Sequence, residues 1–210
     1  VGSCDIVFIA VPTPTKPGGF DASIVREALA LVGKSKVAVI KSTLIPGLTV
    51  ELQAQYPKTT VLFSPEFLSE KTAAYDAAHP FSNIIGLPKR SITHQKAART
   101  VHRILPKAPH ALTCSSTDAE LIKYAHNGNG FTQVLFFNAM YDLAARLGAD
   151  WKAIRDAIGA NPFISQTYTN PVHKGGRGAG GNCFIKDFAA LRMTYEKHLS
   201  EDTHGIRLFR

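Results

Sequence analysis

Short apolar runs alternate with amphipathic stretches through the first half of the chain. Ile6 to Val11, Val37 to Ile40, Val61 to Phe63, Asn83 to Leu87 and Ala111 to Cys114 read as strands. Ser23 to Val32, Leu48 to Tyr56 and Ile92 to Ile104 carry helical spacing between them. This order predicts βαβ units and a parallel sheet, and the nearly continuous apolar strands predict helices on both sheet faces. The pattern changes near Ser115. Leu121, Tyr124, Ala125, Gly128, Phe131 and Leu135 begin a 3.6-residue period that runs to Gly148, a helix of roughly 30 residues with Ser116, Thr117 or Asp118 as its cap. Asp150 to Ile158 and Phe184 to His198 predict two further helices. The chain therefore reads as α/β, with a sheet unit over residues 1–115 and an all-helical unit over 116–210.

Composition narrows the class. With 210 residues and 45% apolar content, the chain can fill a core. Lys and Arg number 24 against 16 Asp and Glu, a net charge of +8, yet no block of five or six like charges occurs. That balance suits anionic small molecules, and no recognised nucleic-acid module is present, so no nucleic-acid partner is expected. Three cysteines without metal-ligand spacing predict reduced thiols, a cytoplasmic location and no metal. No secretory leader or membrane span is expected. Val1 to Asp5 lead straight into a strand, as if sequence preceded them.

Candidate chemistry collects at the strand ends. Val11-Pro12-Thr13-Pro14, Lys41-Ser42-Thr43 and Ser64-Pro65-Glu66 follow successive strands, and ligands of parallel α/β sheets sit beyond the strands' carboxyl ends. Each segment alone also reads as an ordinary turn. Lys123 and Asn127 are four residues apart on one helix face, either an oxyanion clamp or a solvent-facing pair. Gly175 to Gly181 lead into Asn182-Cys183, and a thiol at a helix N-terminus feels the positive dipole end, which favours the thiolate. Cys4 and Cys114 read as small buried apolar residues.

Four strings in this order resemble the UDP-glucose and GDP-mannose dehydrogenase family. They are Lys41-Ser42-Thr43 with Pro46-Gly47, Ser64 to Glu70, Ala119 to Tyr124 with Asn127, and Gly180 to Asp187. The resemblance implies a partial Rossmann-like sheet followed by a central, dimerising helical domain, with NAD as cofactor. It implies oxidation of a nucleotide sugar, UDP-glucose to UDP-glucuronate, in two steps through a thioester on Cys183. Lys123 and Asn127 would stabilise oxyanions, Asp187 would activate water held by Thr43, and Glu66 would serve as an acid or base. Thr13, Thr43, Glu70 and Lys186 match cofactor positions. Phe67, Leu68, Ser69, Tyr168, Asn170 and Gly180 match substrate positions. A homodimer through the long helix is also implied.

The family's glycine-rich phosphate turn and its ribose-binding acidic residue belong to an earlier βαβ unit, so roughly two such units of ~30 residues are expected upstream. A uridine-diphosphate-binding domain is expected downstream. On this reading NAD binds the 210-residue chain weakly. The alternatives are a non-catalytic dimerisation fragment, a GDP-mannose 6-dehydrogenase, or a β-hydroxyacid dehydrogenase relative, against which the Cys183 motif speaks.

Overall fold

A computed structural model describes residues 3–16, 19–173, 175–179 and 182–199. The chain runs β1 (Ile6–Ile9), a small hairpin of β2 (Thr15–Lys16) and β3 (Gly19–Phe20), α1 (Ser23–Ala30), β4 (Val37–Ile40), α2 (Leu48–Gln55) and β5 (Thr60–Phe63). It continues with α3 (Ala73–Ala78), β6 (Ser82–Leu87), α4 (Ile92–Ile104), β7 (His110–Ser115) and the 31-residue α5 (Ser116–Arg146). Then come α6 (Trp151–Gly159), a 3-10 turn (Gln166–Tyr168), a second hairpin of β8 (Val172–His173) and β9 (Gly176–Arg177), and α7 (Asn182–His198).

The main sheet has the order β1, β4, β5, β6, β7. Successive strand side chains point to opposite faces, and the core divides accordingly. Ala38, Ile40, Val61, Phe63 and Ile84 pack with Val25 and Leu29 of α1 and with Leu48 and Leu52 of α2. Val39, Leu62, Ile85 and Leu87 pack with Ala97, Ala98 and Val101 of α4 on the other face. The expected two-sided covering is thus realised at the central strands.

The expectation of a wholly parallel sheet is corrected at one place. The pairs β1–β4, β4–β5 and β6–β7 are parallel, but β5 meets β6 antiparallel through Phe63 and Gly86. A parallel return needs a crossover long enough to carry the chain back along the sheet. Between β5 and β6 the sole helix is α3, six residues rising about 9 Å, and the chain re-enters beside the end where β5 left. The start of β6 therefore lies at the carboxyl edge of β5.

Two local expectations also change. The N-cap of α5 is Ser115, one residue before the candidates, because its hydroxyl accepts the Asp118 N–H while the Asp118 carboxylate accepts the Ser115 N–H. Cys4 is exposed, since it precedes the first paired residue of an edge strand; Cys114 is half-buried.

Gly86 lets α5 lie against β6. A Cβ there would stand 2.7 Å from Ser116 Cα and 2.8 Å from Ala119 Cβ, atoms fixed to the helix backbone. Gly86→Ala is expected to destabilise the fold by about 1 to 3 kcal/mol, read as a lower urea midpoint at unchanged slope. An unchanged midpoint would mean that α5 slides freely on the sheet.

Candidate active site

The carboxyl ends of the three parallel strands are tied to one another. Ser42 Oγ accepts the Val11 N–H at 2.8 Å and donates to the Val11 carbonyl at 2.7 Å. Lys41 Nζ reaches Ser64 Oγ at 3.0 Å and pairs with Glu66 Oε1 at 2.7 Å. The short polar segments that looked like separate turns form one edge.

Helix α5 crosses this edge. Glu120, fully buried, accepts from Gly47 N at 2.6 Å, Thr49 N at 2.9 Å and Thr49 Oγ1 at 2.5 Å. It thereby caps α2 from another helix and fixes where the next turn of α5 falls. That turn carries Lys123, whose Nζ donates to the Glu66 carbonyl at 2.5 Å. Burial holds the Lys123 ammonium below its ordinary range, opposed by the negative charges of Asp187 and Cys183.

One turn on, Asn127 is buried and donates from Nδ2 to Asp187 Oδ2 at 2.6 Å, while its Oδ1 lies 3.1 Å from His126 Nδ1. Asp187 is also buried and pairs with Lys186 Nζ at 2.5 Å. Helix α7 is held against α5 by the stacked rings of Phe131 and Phe188, 4.3 Å apart. Gly130 permits this approach near the site, since a Cβ there would meet the Phe184 ring at 2.7 Å and the Tyr168 ring at 3.1 Å. Cys183 stands exposed in the first turn of α7.

These groups border a cavity of about 790 Å³. Glu66, Lys123, Asn127 and Cys183 line it, as do Phe67, Leu68, Ser69, Glu70 and Tyr168. Asp187 and Lys186 stand behind Asn127 rather than on the wall. Thr13 is buried near the end of β1; its neighbour Thr15 donates to the Lys186 carbonyl at 2.9 Å. Thr43 is half-buried on the β4 edge and away from the wall. Asn170 is exposed and takes the Val172 N–H in its own turn, so it is not brought to the wall either. Gly180 lies outside the described residues. Among the described residues no group of three or more His, Cys, Asp or Glu could hold a metal. No helix among them is long and apolar enough to cross a membrane.

The sequence reading passed over Lys41 as a site residue although its motif was in view. It also missed Phe81 and His126, which line the same wall. Phe81 follows from the β6 reversal, and His126 from its place beside Asn127 on α5.

A mostly parallel sheet with a strand-end cavity, closed by helices that bring a lysine, an amide and a thiol to it, defines a dehydrogenase-like α/β protein. Residues 1–105 match the NAD-binding domain model and residues 117–206 the central domain model of the UDP-glucose/GDP-mannose dehydrogenase family, and the chain belongs to that family. It is 32% identical over 204 residues to a UDP-glucose 6-dehydrogenase of Rickettsia typhi, covering 92% of this chain and 46% of the relative. It is 33% identical over 206 residues to UDP-glucose 6-dehydrogenase YwqF of Bacillus subtilis, covering 91% and 44%. Among solved structures, a UDP-glucose dehydrogenase from Pyrobaculum islandicum superposes with a TM-score of 0.78 at 32% identity, over 92% of this chain and 46% of that one. A 3-hydroxyisobutyrate dehydrogenase of Mycobacterium tuberculosis, 19% identical with a TM-score of 0.68, shares the fold. The chain spans about half the length of the curated relatives it matches.

Proposed function

We propose that this chain is the catalytic core of an NAD-dependent UDP-glucose 6-dehydrogenase, oxidising the sugar's CH2OH to a carboxylate through a thioester on Cys183. The observation that carries the reading is the meeting of Lys123, Asn127, Glu66 and Cys183 on one cavity wall. Relatives at 32% and 33% identity that bear the name UDP-glucose 6-dehydrogenase support UDP-glucose over GDP-mannose.

The residues present fit the reacting end of a dinucleotide. Thr13, Thr43 and Lys186 would hold it along the strand-end edge, with Glu70 beside the cavity. The N-terminus of α1 is a poor phosphate seat, because Asp21 Oδ1 already accepts the Ser23 N–H at 2.9 Å. NAD, when bound, supplies the hydride acceptor for both oxidations.

The remaining steps belong to the protein. Cys183 sulfur adds to the aldehyde carbon while the carbonyl π electrons move to oxygen, and Lys123 and Asn127 stabilise that oxyanion by donating to it. Loss of hydride from the resulting thiohemiacetal leaves the thioester. Asp187, behind the wall, would act on the attacking water through Asn127, with Glu66 on the wall as the acid or base and Thr43 farther back on the β4 edge. The carboxylate forms, and the thiolate departs from carbon.

In the same reading two copies pair through α5, where Phe136 and Leu143 lie on the exposed surface with Leu147 just beyond. Alkylation of the chain with iodoacetamide tests the site directly. UDP-glucose is expected to protect Cys183 more than GDP-mannose does, with protection mapped by peptide mass. Equal labelling with and without either sugar nucleotide would refute the reading.

A further inference from the structure

Resting on the nucleotide-sugar reading, we propose that Phe67, Phe81 and His126 form an aromatic platform at the cavity wall on which the hexose ring rests, and which so governs which sugar is accepted. The Phe81 and His126 rings are nearly parallel, 19° apart in plane with centroids 6.2 Å apart. Phe67 packs against both, so the three rings make one continuous patch. Its centroid lies 4.9 Å from His126 at 63° and 5.3 Å from Phe81 at 48°. All three line the cavity.

Phe81 is 56% exposed, a large apolar ring packed on Phe67 along one side and open to the cavity along another. His126 is exposed too, and its ring is oriented by Asn127. Asn127 Oδ1 can only accept, so His126 Nδ1 carries the proton of their 3.1 Å bond. A wall held in place before the ligand arrives loses less side-chain freedom on binding.

Position selects the occupant. Lys123 Nζ stands 5.3 Å from the Phe67 centroid, so the cluster already has its cation and has no need of a cationic ligand. A hexose on the platform would present its exocyclic carbon to Lys123, Asn127 and Cys183. A nucleobase there would be held too close, because a ribose and two phosphates separate it from the reacting carbon. Pyranoses with equatorial hydroxyls have an apolar C–H face suited to aromatic rings; an epimer with an axial hydroxyl on that face fits less well.

Saturation-transfer NMR of the 210-residue chain with UDP-glucose, and with UDP as the hexose-free control, tests this. Saturation is expected to be strongest on the glucose ring protons. Phe81→Ala and His126→Ala are each expected to weaken UDP-glucose about three- to tenfold, leaving UDP unaffected. His126→Phe, which keeps a ring, is expected to stay near wild type. Both positions are exposed, so thermal midpoints should hardly move. Strongest saturation on uracil, or wild-type affinity in both alanine variants, would overturn the platform while leaving the nucleotide-sugar reading intact. If neither UDP-glucose nor GDP-mannose binds the wild-type chain, both fall together.

Discussion

In an enzyme completed around this core to the length of its relatives, Cys183→Ala is expected to yield no covalent sugar adduct and to abolish uronate formation, whereas Cys183→Ser is expected to accumulate a slowly hydrolysed ester. The alanine variant has no nucleophile, so oxidation stops at the aldehyde. Serine's hydroxyl is a weaker nucleophile at neutral pH, and its ester resists water more than a thioester does. The other two thiols serve as internal controls. Burial pushes the Cys114 thiol up to about 11, so it stays protonated at neutral pH and reacts slowly. Cys4 is exposed but lies before β1, outside the cavity lining. Intact-mass spectrometry of a quenched reaction with UDP-glucose and NAD, followed by peptide mapping, separates the three positions. Full uronate production by Cys183→Ala would end the covalent proposal and leave the glycine-rich segment as a substrate loop only.

Much of the fold was legible because its determinants are local. Apolar runs mark β4 and β5, and Ile92 to Ile104 coincides with α4 to the residue. The period from Leu121 onward finds α5. The two hairpins were not legible, since two-residue strands carry no period. Nor was α3, whose six residues bury none of their side chains. The direction of β6 depends on how far the 64–81 connection reaches, and an apolar run reads the same in either direction.

The candidate site divides along the same line. Lys123 with Asn127 and Cys183 with Asp187 are spacing signals within single helices, and the fold brings all four together, three on the wall and Asp187 through its bond to Asn127. The pairing of Lys41 with Glu66, the aromatic cluster of Phe67, Phe81 and His126, and the buried Glu120 arise between elements far apart in sequence. Glu120 in particular sits in the Ala119 to Tyr124 string on α5, yet it serves a different helix.

Glu120 makes folding sensitive to pH, with stability expected to fall as pH rises. Burial pushes its carboxyl from the ordinary 4.5 up to about 7, while the Thr49 and Gly47 donors pull the other way. The positive end of α2 also favours the anion, but a fully buried carboxylate has given up its water. In the protonated form the carboxyl can donate to Thr49 Oγ1 and still accept the two backbone N–H groups. A carboxyl whose folded value is raised contributes fully below pH 4.5, and that contribution is lost as pH rises through about 7. At about 1.4 kcal/mol per pH unit the loss is roughly 3 kcal/mol. Urea unfolding at pH 5 and pH 8 is therefore expected to show a drop for the wild type that is absent in Glu120→Gln, which cannot ionise. Glu120→Ala is expected to lose about 2 to 4 kcal/mol at pH 5, because three donors and a cavity remain where the side chain was. Parallel pH profiles for the wild type and Glu120→Gln would mean that the carboxylate stays ionised throughout, with its three donors outweighing burial.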